Sequence, residues 1–521
     1  MAETIDLRTA PAGSPEWWLA RLLARLEARR LDLETFEAYY DGHQPLAFAS
    51  QKFRDAFGSR FREFSSNFMS LVVDAPGERL EVQGFRFRDA EGDADIWRRI
   101  WQENDLDAGS QLAHTEALMK GVAYAIVEPS PDGTPVVTVE DPLDCVVESA
   151  AKDRTQRVAA LKRWVDDDGH LVAYLHLPDA VFKYRSLGKA APVVTSDLPT
   201  GELALETSSV RWTRLEVPDE PWPLPNPLGV VPVVPLPNRP RLSGRSWSVT
   251  GVPVRLDGRS EIAAVMSNQD AINKYRADAL VASEFAAFRQ RWAIGIDIPV
   301  DPETGRPIEP FKPAVDRLWT FPRPDPEDPN QAFPQVGEFA ATDLLPYKLM
   351  IETEVGHISS ISRIPYHFFL GQPQAIPPSG ESLKSSEAGL VRKVGRIALH
   401  LGEGWEEVMR LCLLAMGDAR GRIRSAETIW RDPETQNEAV RTDAVLKQFQ
   451  AGVIDLESAQ EQLGYSPEQV RQMRERRQAT QALTASSSPA DAPNATTTTA
   501  TPIGAGFTQA AVPATIASEV P

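Results

Sequence analysis

The residue types that most often carry chemistry are present, but they are not arranged for it. The seven histidines (His43, His114, His170, His176, His357, His367 and His400) lack the short-range spacing of a metal site. His170 and His176 lie near a hairpin and share one sheet face, which makes them the nearest approach to a ligand pair; ordinary surface or core histidines are the favoured reading. Asp166-Asp167-Asp168 offer three carboxylates, but they fall in a turn, where aspartates bond the local backbone. A carboxylate dyad for glycoside hydrolysis is conceivable in any such chain, yet no local pattern selects one. Cys145 and Cys412 stand far apart without CxxC spacing, which leaves out a disulfide framework and a zinc knuckle and fits a reducing compartment. There is no GxxxxGK[ST] phosphate loop, no GxSxG elbow and no HExxH helix, and Gly504-Ala505-Gly506 sits in a low-complexity tail. No catalytic residue, metal or cofactor is expected.

Elements that could position a site are nonetheless plentiful. The chain has 521 residues, enough for about three or four structural units. Hydrophobic residues make up 42% and charged residues 25%, so a sizeable core is possible. The formal net charge of −18 argues against tight, sequence-independent nucleic-acid binding and against an anionic membrane surface. No secretory signal is expected in the first fifteen residues, and no apolar run is long enough to span a bilayer. Proline is the outlier, at 43 residues, and it clusters.

Ser14 and Pro15 predict a helix start, followed by Leu19, Leu22, Leu23 and Leu26 on one face. Phe53, Phe57, Phe61 and Phe64 form a second helical stripe, read as core packing. A helix over 66–74, a strand over 80–88 and helices over 93–121 follow. Hairpins are predicted for 122–128 with 134–140 and for 158–165 with 171–177, and the β texture continues through 181–185 and 210–217. Nine prolines between Val217 and Pro240 predict a stiff crossover outside any central sheet and a boundary. Helical patterns return over 258–289 and 341–362, separated by a proline-rich, acidic insertion. The strongest helix spans 379–417, with Ser379 as N-cap and a stripe of Leu390, Val394, Ile397, Leu401, Trp405, Val408 and Cys412. Short helices follow over 439–451 and 456–463, and Ser466-Pro467 opens another. The tail from 481 to 521 is too poor in apolar residues to fold and is expected to be disordered.

Particular stretches resemble one family. YYDGHQPL (39–46), NFMSLVVDAPGERL (67–80), the helix ending EFAAFRQRW, and above all ISRIPYHFFLG (361–371) followed by PPSGESLKSSEAGL (377–390) are similar to portal proteins of long-tailed bacteriophages. The block AGVIDLESAQEQLGYSPEQV resembles the C-terminal pattern of that family, so the likeness covers about residues 30–475. It implies an α+β portal fold: helices and a mixed α/β wing (1–257), a first stem helix (258–289), a clip (290–340), a second stem helix (341–370), a tunnel loop (371–378), a long helix returning to the wing (379–431) and a helical crown (432–480).

The same resemblance implies a homo-oligomeric ring, usually a dodecamer, at one capsid vertex of the virion, assembled in the host cytoplasm. Double-stranded DNA would pass through it. Expected partners are the terminase large subunit, the major capsid and scaffolding proteins and a head-tail adaptor, with no membrane. Gly371, Gln372, Pro373, Gln374, Ser379 and Lys384 would face DNA. Asp301, Glu303, Glu309, Asp325, Glu327 and Asp328 would form a docking clip for the motor or adaptor, with Asp297 beside them. Leu390, Val394, Ile397, Leu401 and Trp405 are expected in the subunit interface, because so long a stripe exceeds one small domain. Net acidity suits a conduit in which DNA must slide, since each cation holding a phosphate adds affinity. The competing readings are a cytoplasmic enzyme with an unrecognised carboxylate site and a monomeric adaptor.

Overall fold

A computed structural model describes residues 5–44, 66–87, 97–189, 210–242, 245–249, 253–287, 291–294, 303–305, 335–340, 343–371, 380–434, 438–465 and 467–486. The phenylalanine stripe at 53–64 and most of the 290–340 insertion lie outside these residues. Residues 1–468 form one compact unit, and 469–521 form a second.

Helix α1 (Pro15–Tyr40) starts where the sequence places it: the Ser14 hydroxyl accepts the Trp17 amide at 3.2 Å, and Pro15 gives up an amide that would have no helical partner. Its leucines at 19, 22, 23 and 26 bury against one face of an antiparallel sheet. That sheet is built from β4 (Cys145–Ser149), β5 (Arg157–Val165), β6 (His170–His176), β7 (Ala180–Lys189) and β8 (Trp212–Arg214), with β9 (Leu224–Pro225) on β7. The predicted aspartate turn closes β5 to β6. Asp166 accepts the His170 amide at 2.8 Å, Gly169 takes a positive φ of 82°, and Arg185 binds Asp166 and Asp168 at 2.7 Å each. His176 is buried, and burial, with Lys162 and Lys183 nearby, pushes its imidazole down to about 4. His170 meets the Ser186 carbonyl at 2.9 Å. Among the described residues no group of histidines, cysteines and carboxylates is placed to hold a metal.

A second sheet has β2 (Val122–Glu128) between β3 (Val136–Glu140) and β10 (Val233–Pro237). One face of β2 packs toward the first sheet through Val122, Tyr124 and Ile126. Its other face, Ala123, Ala125 and Val127, joins the main core. Burial on both faces explains the continuous apolar run of β2. Strand β10 corrects the expectation of a crossover that leaves the sheets. Pro235 and Pro237 sit opposite Tyr124 and Val122, two residues apart on an edge strand, so no ladder amide is lost in the sheet centre.

The main core gathers α2 (Met69–Gly77), β1 (Val82–Phe87), a π-helical turn at Trp97–Gln102, α3 (Leu106–Lys120) and the long helix described below. The loop hairpin β11 (Arg245–Trp247) with β12 (Pro253–Arg255) leads to α4 (Met266–Ala287). The helix expected from residue 258 begins eight residues later, because the preceding segment caps α3 instead. The Asn238 amide binds the Gly121 carbonyl and the Glu261 amide binds the Leu118 carbonyl, both at 2.9 Å. Gly258 passes so close that an added Cβ would fall 1.7 Å from the Gly121 carbonyl oxygen. An antiparallel pair of strands, β13 (Arg291–Ile294) and β14 (Gln335–Glu338), precedes α5 (Leu345–Ser362) and the single turn α6 (Tyr366–Phe369).

Helix α7 (Gly380–Ala415) carries 36 residues, about 54 Å at 1.5 Å per residue. It packs on β2, β10 and β15 (Ala426–Trp430), the last of which pairs with β1. Gly404 lets β10 approach, since a Cβ there would lie 2.4 Å from Leu236. Helices α8 (Glu438–Gln450) and α9 (Leu456–Gln462) follow, and Asp455 caps α9 through the Ser458 amide at 3.2 Å. Helix α10 (Pro467–Ser486) extends six residues into the stretch expected to be disordered.

Candidate functional site

The segments expected to serve a portal meet at the pair α4 and α5. At its root the pair is anchored in the core. Ile272, Val355 and Ile358 have no exposed surface, and Asn268 donates to Glu354 across the pair at 2.7 Å. Buried Gln269 bridges to the other side, accepting the Phe68 amide at 3.0 Å and donating to the Ser66 carbonyl at 2.6 Å. Tyr39 donates to Asp270 at 2.8 Å, and burial pushes that carboxyl above its usual range.

Toward the other end the burial reverses. Leu280, Leu345, Leu349 and Met350 are exposed, as are Ile294 and Val336 in the β13–β14 pair and Phe339 just after it. Exposed large apolar residues occur elsewhere too, among them Leu242, Val453 and Leu112, and here they cluster in sequence around the ends of α4 and α5.

The most family-like segment, 361–371, is a plug at the root. Arg363 adopts a left-handed backbone with φ 61°, Ile364 is buried, and Phe369 packs edge-on against Phe68 with centroids 5.9 Å apart. Gly371 is exposed and does not have a positive φ. Gln372, Pro373, Gln374 and Ser379 lie outside the described residues. Lys384 is half exposed, and its ammonium is 3.8 Å from Glu434, so its charge is partly met within the chain.

Of the docking acids, Glu303 is described and exposed, while Asp301, Glu309, Asp325, Glu327 and Asp328 lie outside the described residues. The interface stripe is corrected outright. Leu390, Ile397, Leu401 and Trp405 are 0% exposed in the single chain and Val394 is 1% exposed, so they have no surface left for a neighbour. The β3–β2–β10 sheet, β15 and α2 supply the large partner that the stripe's length demands. Trp405 packs on Trp101 at 5.2 Å between centroids and donates its indole N–H to His114 at 2.9 Å. Burial pushes His114 down to about 4, which keeps it a neutral acceptor.

One polar feature at the root escaped the sequence reading. Lys393 on α7 and Glu261 ahead of α4 form an ion pair at 2.7 Å, with side chains 2% and 3% exposed. Lys393 also donates to the Ser362 carbonyl at 2.9 Å, while Arg239 and Asn238 bind the same glutamate. Burial alone would push the Glu261 carboxyl up; Lys393 and Arg239 outweigh it and hold it below the usual range. Burial in turn lowers Lys393, opposed by Glu261. The pair ties α4, the end of α5, β10 and α7 at one point. A lysine between Leu390 and Val394 on an apolar flank was the available signal.

Comparison with known proteins decides what this assembly is. The profile of the family described as phage portal protein, SPP1 Gp6-like, matches residues 19–482. The chain belongs to that portal family. The portal protein of Mycobacterium phage D29 is 30% identical over 421 residues, covering 77% of this chain and 76% of that protein. The portal protein of Mycobacterium phage L5 is 30% identical over 422 residues with the same coverage. Among solved structures, the neck of a native GTA particle computed with C12 symmetry aligns at TM-score 0.40 and 12% identity, over 81% of this chain and 95% of that one. The neck of an empty GTA particle computed with C6 symmetry aligns at TM-score 0.42 and 11% identity, with the same coverage. Membership in the portal family makes the chain a phage portal component with a structural role, and it leaves the enzyme reading without support. Among the described residues no helix is long and apolar enough to cross a membrane.

Proposed function

We propose that copies of this portal-family chain close into a ring, about twelve strong, at one vertex of a phage capsid, and that double-stranded DNA enters and leaves through it. The α4–α5 pair is the stem, and the segment between the two helices is the clip, an acidic docking surface for the terminase large subunit and later a head-tail adaptor. The 371–378 loop reaches toward the lumen, and the wing contacts the capsid shell. The observation that carries this reading is the apolar surface left bare at the clip end of α4 and α5 by a chain of this family. Two different faces of one chain meeting around an axis give closure into a ring rather than a two-fold dimer.

The test is Leu349→Asp with Met350→Asp. Both side chains are about half exposed in the single chain, so the variant keeps its fold by circular dichroism while ring formation falls. Rings at parental yield would remove this surface from the subunit interface.

A further inference from the structure

The chain is acidic overall, yet at the root of the α4–α5 pair it gathers cations. The buried Lys393–Glu261 pair lies beneath them, and Arg239 binds the same glutamate, so that carboxylate is already taken up. Further arginines are held close by the backbone. The Arg259 amide binds the Asn238 carbonyl at 2.9 Å, and the Asn238 side chain binds the Arg259 carbonyl at 2.7 Å, which sets Arg259 beside Arg239. Arg154 reaches from the β4–β5 turn to the carbonyls of Arg241 and Leu242. Arg363, at the end of α5, lies against α7, where a Cβ on Gly389 would be 3.8 Å from it. Arg396 and His400 follow Lys393 along α7.

These cations feel one another. Burial lowers the Arg259 guanidinium, and Arg241, Arg239 and Arg396 lower it further. Burial lowers Lys393, opposed by Glu261, while Arg239 and Arg363 add to the fall. His400 is lowered by burial, then by Arg396 and Arg239, against Glu403. Glu403 therefore stands beside the cluster, seven residues beyond Arg396 on the same side of α7, about 10 Å along the helix. Arg154, Arg241, Arg259, Arg363 and Arg396 are exposed, and among the described residues no carboxylate lies within 4.0 Å of their guanidinium groups. Arg239 and Arg363 also stand where a side chain is costly: their φ values of 43° and 61° are left-handed backbone that glycine adopts freely. Charge is kept there against both backbone strain and the repulsion of like neighbours.

We propose that this cluster is a phosphate-contacting site that meets the backbone of duplex DNA passing through the portal. It rests on the conduit reading above and deepens it by naming cations that touch the duplex, on α7 and on the connection between β10 and α4. Guanidinium groups fit phosphate as planar forks, and several presented together match a polyanion. Protein–DNA contacts are polar and strongly basic, whereas a protein partner meets an apolar centre from which charge is depleted. Here the centre is guanidinium, with exposed Leu242 at its edge beside Arg241. The hold is loose by construction. A few arginines neutralise only a few phosphates, and Glu403 repels the backbone close by, which suits a duplex that has to slide. Contacts to phosphate carry no sequence information, so any duplex should be accepted.

The double variant Arg241→Gln, Arg396→Gln tests this in the full-length chain. Both positions are exposed and without an ion pair among the described residues, so circular dichroism and the ring yield by light scattering should match the parent. A labelled duplex is then titrated by fluorescence anisotropy at several salt concentrations. Affinity at about 0.1 M salt should fall about tenfold or more, and the slope of log affinity against log salt should flatten by about two, one per arginine removed. Two unrelated duplex sequences should behave alike. Glu403→Gln should tighten binding, and Arg86→Gln, an exposed arginine already paired with Glu461 at 3.1 Å, should leave it unchanged. Parental affinity and slope in the double variant overturn the proposal. Loss of rings in that variant also overturns it and assigns the cluster to a protein contact. Weakened binding of tripolyphosphate with unchanged binding of the duplex would make it a small-anion site, which overturns it as well. If the parental chain forms no rings, the ring reading falls; the titration needs no ring and still decides the cluster.

Discussion

Replacing Lys393 by methionine removes one half of the buried pair with Glu261 while keeping most of the side-chain volume. At 2.7 Å and an effective dielectric near 20, the gross attraction is about 6 kcal/mol, most of it set against the cost of drying both groups. What the variant exposes is that cost: the glutamate stays buried without its main cation, a loss of about 3–5 kcal/mol. Arg239 and the Asn238 amide still reach the carboxylate, which places the expectation near 3 kcal/mol. The assay is urea unfolding followed by tryptophan fluorescence at fixed protein concentration, on Lys393→Met, Glu261→Gln and the double variant. The double should recover about 2 kcal/mol or more relative to the sum of the singles. The pH dependence has a definite sign. In the parental chain Glu261 is held below its unfolded value, so its contribution is present above about pH 4.3 and lost as pH falls through the lower folded value. Without Lys393 the carboxyl rises and takes a proton more readily, so the gap between variant and parent should narrow from pH 7 toward pH 5. Additive singles, a loss under about 1 kcal/mol, or a gap that widens on acidification would refute the reasoning.

Gly258→Ala should lower the thermal midpoint sharply and loosen the α3–α4 junction, because a Cβ 1.7 Å from the Gly121 carbonyl must displace backbone; an unchanged midpoint would show that the approach is not so close in solution. Leu401→Ala should cost about 2–5 kcal/mol in dissociated subunits, read by chemical denaturation, whereas a loss seen only in assembled rings would return that residue to the interface. His114 and His176 are pushed to about 4 by burial, so the stability they leave intact above pH 6.5 should erode as pH falls toward 4, and His176→Leu should flatten part of that decline in a pH series of melts. Charge reversal at Asp325 and Glu327 should weaken terminase binding more at low than at high salt while rings persist; equal binding at both would argue against docking there.

Much of the fold was legible because local chemistry decides it. Ser14-Pro15 opens α1, the 3.6-residue stripe from Leu390 to Cys412 draws α7, and the Pro131-Asp132-Gly133 and Asp168-Gly169 turns set the hairpins. What escaped depends on partners distant in sequence. The prolines of β10 are tolerable because that strand is an edge, a property of the sheet rather than of VVPLP. The late start of α4 comes from the Gly121–Gly258 approach, which no window of residues contains. The α7 stripe announced burial correctly but could not say against what, and the answer was the chain's own sheets rather than a neighbour. The candidate site was legible as a family resemblance in 361–371, whose residues prove to be an anchor for α5. The Glu261–Lys393 pair joins residues 132 apart in sequence and left only a misplaced lysine as a trace.

The most direct test of the portal account is the assembled mass of the purified full-length protein, measured by light scattering and viewed in negative stain. The account predicts closed rings with a central channel at about 0.7 MDa, about twelve copies of the 57.5 kDa chain. A folded, monodisperse monomer across the accessible concentration range, with no rings on the grid, would contradict it.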